Sequence, residues 1–206
     1  MAINALTATS VTATSGTTLM VNKPSGVVAG SLLLAAVYVQ ASSIPTITPP
    51  SGWTSLGTVS NASQRAQVFY RVAGASEPTN YTFTSSLTIV AGTAVLEGYT
   101  FTGTGVVGAS AFGSLAVGNV VVAPTVTVAL PNSLLYCAFF TSTLGTGVTG
   151  MTPRAAVENG NRDVAVFDQA VGAGATGTRT YTGSNSGWGF SLSIEELAAN
   201  RIRMMI

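Results

Sequence analysis

Ser31-Leu32-Leu33-Leu34-Ala35-Ala36-Val37-Tyr38 and Ser133-Leu134-Leu135-Tyr136-Cys137-Ala138-Phe139-Phe140 lie 102 residues apart and read as one pattern written twice. The first run, continued to Val39, is apolar on both alternating faces, as in a central β-strand covered on two sides. Around them the chain is rich in Thr, Ser, Val, Gly and Ala, with Gly, Pro and Asn clusters interrupting β-branched runs. That spacing predicts an all-β, antiparallel, jelly-roll-like β-sandwich. Expected strands in the first half are 4–13, 17–22, 31–40, 53–60, 66–73, 80–84 and 91–100. In the second half they are 106–111, 120–128, 134–141, 155–158, 163–171, 178–182 and 189–194.

The likeness between the halves extends beyond these runs. With a shift of 98, Gly52 and Thr54 fall on Gly150 and Thr152, Val68-Phe69 on Val166-Phe167, and Gly74-Ala75 on Gly172-Ala173. The same shift places Leu96 on Ile194 and Glu97 on Glu195. Residues 1–196 therefore read as a sandwich with an internal pseudo-two-fold duplication, its copies spanning about 17–100 and 120–196. No charged or Pro-rich linker parts them, which favours one sandwich over two in tandem.

Charge is the unusual quantity. Asp, Glu, Lys and Arg make up 7% of the 206 residues, against about 25% in ordinary soluble domains. The longest apolar stretch, 26–39, is shorter than a membrane-spanning helix requires, and aromatic girdles for a barrel are lacking. The start, Met1-Ala2-Ile3-Asn4, has no basic segment or apolar leader. Such a neutral surface is expected to be covered by neighbours in an assembly. The lone Cys137, inside an apolar run, reads as a small buried hydrophobe.

Chemistry is sparse. There is no histidine, which removes His triads and His metal sites. The seven carboxylates (Glu77, Glu97, Glu158, Asp163, Asp168, Glu195 and Glu196) are scattered, and Asp163 and Asp168 project to opposite faces of one strand. Lys23 precedes Pro24 and reads as a solvated turn charge. Glycine patterns at 103–108, 145–150 and 172–177 open no helix that could meet a phosphate, so they read as hairpin loops. Eight basic residues spread along the chain make no nucleic-acid footprint. Catalytic residues, cofactors, metals and a small-molecule substrate are accordingly not expected.

Two features remain. Aromatic rings can stack on sugars; Trp188 between glycines, with Tyr181, is the candidate glycan platform, whereas Trp53 reads as a core plug. Residues 197–206 fall outside the repeat. From Glu195-Glu196 onward, acids come first and arginines last, as suits a short helix dipole. The apolar end of this arm, with Leu197, Arg201, Ile202, Arg203, Met204, Met205 and Ile206, is expected either to fold back on the sandwich or, by preference, to dock on a neighbouring subunit.

The strings Val21-Asn22-Lys23-Pro24-Ser25-Gly26-Val27-Val28-Ala29-Gly30-Ser31-Leu32-Leu33 and Pro49-Pro50-Ser51-Gly52-Trp53-Thr54 resemble recurrent segments of bacteriophage virion proteins. So does Phe69-Tyr70-Arg71-Val72-Ala73-Gly74-Ala75-Ser76-Glu77-Pro78. The resemblance spans roughly residues 17–196 and implies a β-sandwich structural component of a phage particle, without any functional residue to carry over. That family usually has an acidic residue where this chain has Ser31. The resulting expectation is a capsid decoration or cement protein. It would be assembled in the host cytoplasm into the virion as a homo-oligomer, a trimer by preference, against the major capsid protein. Alternatives are a tail or fibre component that binds host glycan, and a bacterial surface adhesive module.

Overall fold

The computed structural model describes residues 2–198. They form an all-β protein of antiparallel sheets, with no helix among the described residues. The first half contains β1 (Ile3–Ala5), β2 (Thr9–Ala13), β3 (Thr18–Asn22), β4 (Leu32–Gln40) and β5 (Ile47–Thr48). It continues with β6 (Thr54–Asn61), β7 (Gln64–Val72), β8 (Asn80–Ser85) and β9 (Ala91–Phe101). The second half contains β10 (Thr104–Phe112), β11 (Ala116–Val117), β12 (Val120–Ala123), β13 (Thr127–Val128), β14 (Ser133–Thr141) and β15 (Gly147–Val148). It ends with β16 (Thr152–Val157), β17 (Asp163–Val171), β18 (Gly174–Ala175), β19 (Arg179–Thr182) and β20 (Ser186–Leu197).

The two halves share one strand order. The large sheet of the first runs β1-β9-β4-β7-β6, with β2 also on β9; that of the second runs β10-β20-β14-β17-β16, with β11 also on β20. Each half adds a three-stranded sheet, β3-β8-β5 in one and β12-β19-β15 in the other. Registers repeat too: Ala36 faces Val68 as Ala138 faces Val166, and Leu19 faces Phe83 as Val121 faces Tyr181. Both edge pairs carry a bulge at the same place, between Ser55 and Gly57 and between Pro153 and Ala155.

Alternation along β4 shows how the sheets stack. Leu32, Leu34, Ala36 and Tyr38 enter one core with Tyr136, Ala138, Phe140, Trp188 and Phe190 of the other large sheet. Leu33, Ala35, Val37 and Val39 enter another with Leu19, Val21, Tyr81 and Phe83 of the small sheet. On β14, Leu135, Cys137 and Phe139 likewise meet Val121 and Tyr181. The order of layers is therefore small, large, large, small. The single two-sheet sandwich favoured from sequence gives way to two sandwiches packed through their large sheets. The reason is visible in β4 and β14: both faces of both strands are apolar, and a two-sheet sandwich would leave one face of each bare.

Other boundaries shift for local reasons. The expected strand 4–13 breaks at Leu6-Thr7-Ala8, and 120–128 breaks around Pro124, which supplies no ladder N–H. The Gly103–Gly108 pattern lies largely in β10, not in a hairpin loop. Glu195, Glu196 and Leu197 end β20 instead of starting a helix, because pairing with Val106, Gly105 and Thr104 carries the strand on. In that last strand the repeat slips. Val95 faces Ala36 on β4 and Phe190 faces Ala138 on β14, an offset of 95 where the sequence suggested 98. Glu97 and Glu195 are therefore not equivalent, and they project to opposite faces of their sheets.

Candidate functional site

Charges are few, and most of the acids are inside: Glu97, Asp163, Asp168, Glu195 and Glu196 are all buried. Glu97 on β9 and Asp168 on β17 meet between the two large sheets. Arg154 reaches in from the β16 bulge and grips Asp168 with two donors, Nε to Oδ2 at 2.6 Å and Nη2 to Oδ1 at 2.8 Å. The Tyr99 hydroxyl lies 2.9 Å from Glu97 Oε2 and 3.4 Å from Asp168 Oδ2. Glu97 Oε1 and the Tyr136 hydroxyl find no hydrogen-bond partner. Burial, with the negative charge of Asp168 adding to it, pushes the Glu97 carboxyl up to about 8. Glu97, Tyr99, Tyr136 and Asp168 are buried between the halves, and Arg154 closes the cluster from the exposed rim.

A second polar group closes one end of the first sandwich. Arg71 Nε donates to both Glu77 oxygens, at 3.1 and 3.0 Å, and its Nη2 donates to Oε1 at 3.0 Å. The Tyr81 hydroxyl and the Gly74 amide donate to the same carboxylate, at 2.5 and 2.6 Å. Burial alone would raise the Glu77 carboxyl, but these donors outweigh it and hold it below its ordinary value. Glu195 accepts from the Ala129 amide at 3.0 Å and from Ser193 Oγ at 3.1 Å. Glu196 accepts from the Gly103 amide and from Thr102 Oγ1. These acids cap turns and tie strands.

The expected glycan platform is corrected. Trp188 is 3% exposed, packed edge-on against Tyr38 with centroids 6.0 Å apart. Tyr181 is 1% exposed, stacked on Phe139 at 4.9 Å, and its hydroxyl bonds Gly145. Neither ring offers a face to a sugar; the glycines beside Trp188 serve close packing, since a Cβ on Gly189 would lie 2.5 Å from the backbone of Val122 on β12 and one on Gly187 would strike the backbone of Phe140 on β14. Leu197 pairs with Thr104, while Arg201, Ile202, Arg203, Met204, Met205 and Ile206 lie outside the described residues. Cys137 is fully buried, and burial pushes its thiol up to about 12. Among the described residues no three His, Cys, Asp or Glu side chains gather in a metal-binding group.

Two surface features escaped the sequence. One is apolar: Leu115, Val117, Val120 and Val122 are exposed on β12 and the segment leading to it, Val117 to 89%. β12 is an edge strand of its three-stranded sheet. Alternation in Val120-Val121-Val122-Ala123 could have indicated this, since one face must point away from the core. The other is a cleft of about 360 Å³ lined by Val148, Thr149, Gln169, Thr178, Arg179 and Thr180. Its signal was latent in the repeat, where a shift of 98 sets Gln169 against Arg71 and Arg179 against Tyr81. Comparison with protein-family models, curated proteins and solved structures finds no match to this chain.

Proposed function

We propose that this protein is a structural subunit of a phage particle, a capsid decoration or cement protein that works through contacts between copies of itself and with the shell beneath. The observation that carries the proposal is the apolar patch of Leu115, Val117, Val120 and Val122 on a surface nearly free of charge. Patches of this kind on an otherwise polar surface mark interaction sites, and an edge strand beside one offers unpaired backbone groups to a partner. The resemblance of the segments at 21–33, 49–54 and 69–78 to virion proteins supports the setting. Four stacked sheets joined by apolar cores give a rigid body suited to bracing. A ligand that binds only the intact shell stabilises it by mass action, RT ln(1 + [L]/Kd) per site.

The test has two parts. Native mass spectrometry should find wild type as a homo-oligomer, a trimer by preference, and Val117→Asp with Val120→Asp as monomer; an unchanged mass in the variant rejects the patch as the interface. Quantitative labelling of purified particles should count hundreds of copies. A handful per particle would instead place the protein in the tail.

A further inference from the structure

The two halves can be compared with each other, and they differ at one end of the small-sheet sandwich. In the first half, Arg71 on β7 holds the Glu77 carboxylate, Tyr81 on β8 adds a donor, and the indole of Trp53 packs edge-on to Tyr81 at 5.1 Å. That end is closed, with the Glu77 side chain only 1% exposed. At the positions related by 98, the second half has Gln169 for Arg71, Arg179 for Tyr81, Met151 for Trp53 and Ala175 for Glu77. The cation has moved from the large sheet to the facing small sheet, the carboxylate has gone, and a smaller side chain replaces the indole. The cleft of about 360 Å³ opens there.

Arg179 is held in place but not neutralised. Its Nε and Nη2 donate to Gln169 Oε1 at 3.0 and 2.9 Å, and Nη1 donates to the Thr176 and Thr178 carbonyls at 2.7 and 3.0 Å. Each acceptor is neutral, and among the described residues no carboxylate forms an ion pair with it. A guanidinium has five N–H donors; these bonds occupy four, leaving one on Nη2 and a full positive charge at a cleft lined by Thr149, Thr178 and Thr180 as well as Gln169. The volume is at the small end for ligand pockets, which run about 300–1,000 Å³, and suits a single sugar ring.

The geometry points to a binding site for a carboxylate-bearing sugar, a hexuronate, with Arg179 taking the carboxylate where the first half uses its own Glu77, and the ring lying in the cleft bordered by Thr149, Gln169 and the backbone edge at Thr178–Thr180. Charge-assisted bonds to a carboxylate are the strong component, and the polar lining of the cleft supplies preference for a sugar over a bare acid. This site goes beyond the assembly proposal and is distinct from the buried Trp188 and Tyr181.

The test is a titration of the full-length protein with D-galacturonate, read by NMR from the Arg179 side-chain Nε–H and the Thr178–Thr180 amides. Acetate and D-galactose serve as comparators. The expected result is a saturable shift with Kd on the order of millimolar, a free energy near −4 kcal/mol, about tenfold weaker for acetate and absent for galactose. Arg179→Gln should abolish it. Gln169→Glu should also abolish it, because this near-isosteric change gives Arg179 an internal carboxylate while keeping the fold and the guanidinium. The inference is overturned by no saturable shift with galacturonate, by a shift that persists in Gln169→Glu, or by acetate binding as tightly as galacturonate.

Discussion

Glu97 is 2% exposed, with Oε1 unpartnered and Asp168 beside it, so its proton belongs to the fold. The native carboxyl, raised from 4.5 to about 8, keeps that proton where the unfolded chain has already released it. Between these values the native state binds more protons, so this group's contribution to stability falls as pH rises. Denaturation at pH 5 and pH 8.5 should show wild type losing roughly 4 kcal/mol across the window. Glu97→Gln, already neutral, should match wild type at pH 5 and exceed it at pH 8.5; parallel pH profiles would rule this out. Arg154→Ala poses the complementary question. It strips buried Asp168 of a partner that reaches it from the partly exposed rim, and should cost about 2 kcal/mol, between a solvent-screened pair and a fully buried one, measured as a drop in denaturant midpoint at pH 7. Neither role was legible in the sequence, where Glu97 matched Glu195 and Asp168 looked solitary. Contacts between sheets join residues about 70 positions apart, such as Tyr99 with Asp168, and no local pattern encodes them.

Elements were more legible than residues, and the repeat explains why. Gly52 and Gly150 both turn with positive φ, 82° and 77°, ahead of edge strands bulged at the same place. Turn chemistry of this kind is local and survives in sequence. What escaped were the two-residue bridges β5, β11, β15 and β18, too short for periodicity to register, and the three-residue slip of β20. That slip exchanges faces: Leu96 packs against the small sheet, whereas Ile194 packs between the large ones. The close approach of β12 to β20 yields a prediction at this scale. A methyl on Gly189 would strike the backbone of Ala123 and Val122 at 2.5 Å, whereas one on Gly172 meets nothing within 4 Å. Gly189→Ala should therefore destabilise by 2 kcal/mol or more, roughly the upper range for overpacking, and loosen Val120–Ala123 in hydrogen exchange. Gly172→Ala should be neutral or slightly stabilising. Equal melting temperatures for the two variants would show that β12 yields freely.

For the whole molecule, the question is whether four layers behave as two proteins or one. The central core draws Leu34, Tyr38, Val68, Val95 and Tyr99 from one half and Tyr136, Phe140, Val166, Trp188 and Phe190 from the other. Polar ties cross at both ends of it. Asn159 Nδ2 donates to the Ala13 and Gly92 carbonyls at 2.9 and 2.7 Å, Thr93 Oγ1 donates to the Arg162 carbonyl at 2.6 Å, and Tyr99 meets Asp168. Separating the halves would bare an aromatic-rich sheet face on each and strand the Glu97–Asp168 cluster. The two tryptophans test this directly, because Trp53 lies in the outer core of the first half and Trp188 in the central core. Single-tryptophan variants, Trp53→Phe and Trp188→Phe, should show coincident fluorescence midpoints in guanidinium, matching circular dichroism, as one cooperative unit requires. If the transition reported by Trp53 came later than that reported by Trp188, the first sandwich would be standing alone after the interface had opened. The molecule would then be a hinged pair, and a cement role that depends on rigidity would lose its mechanical basis.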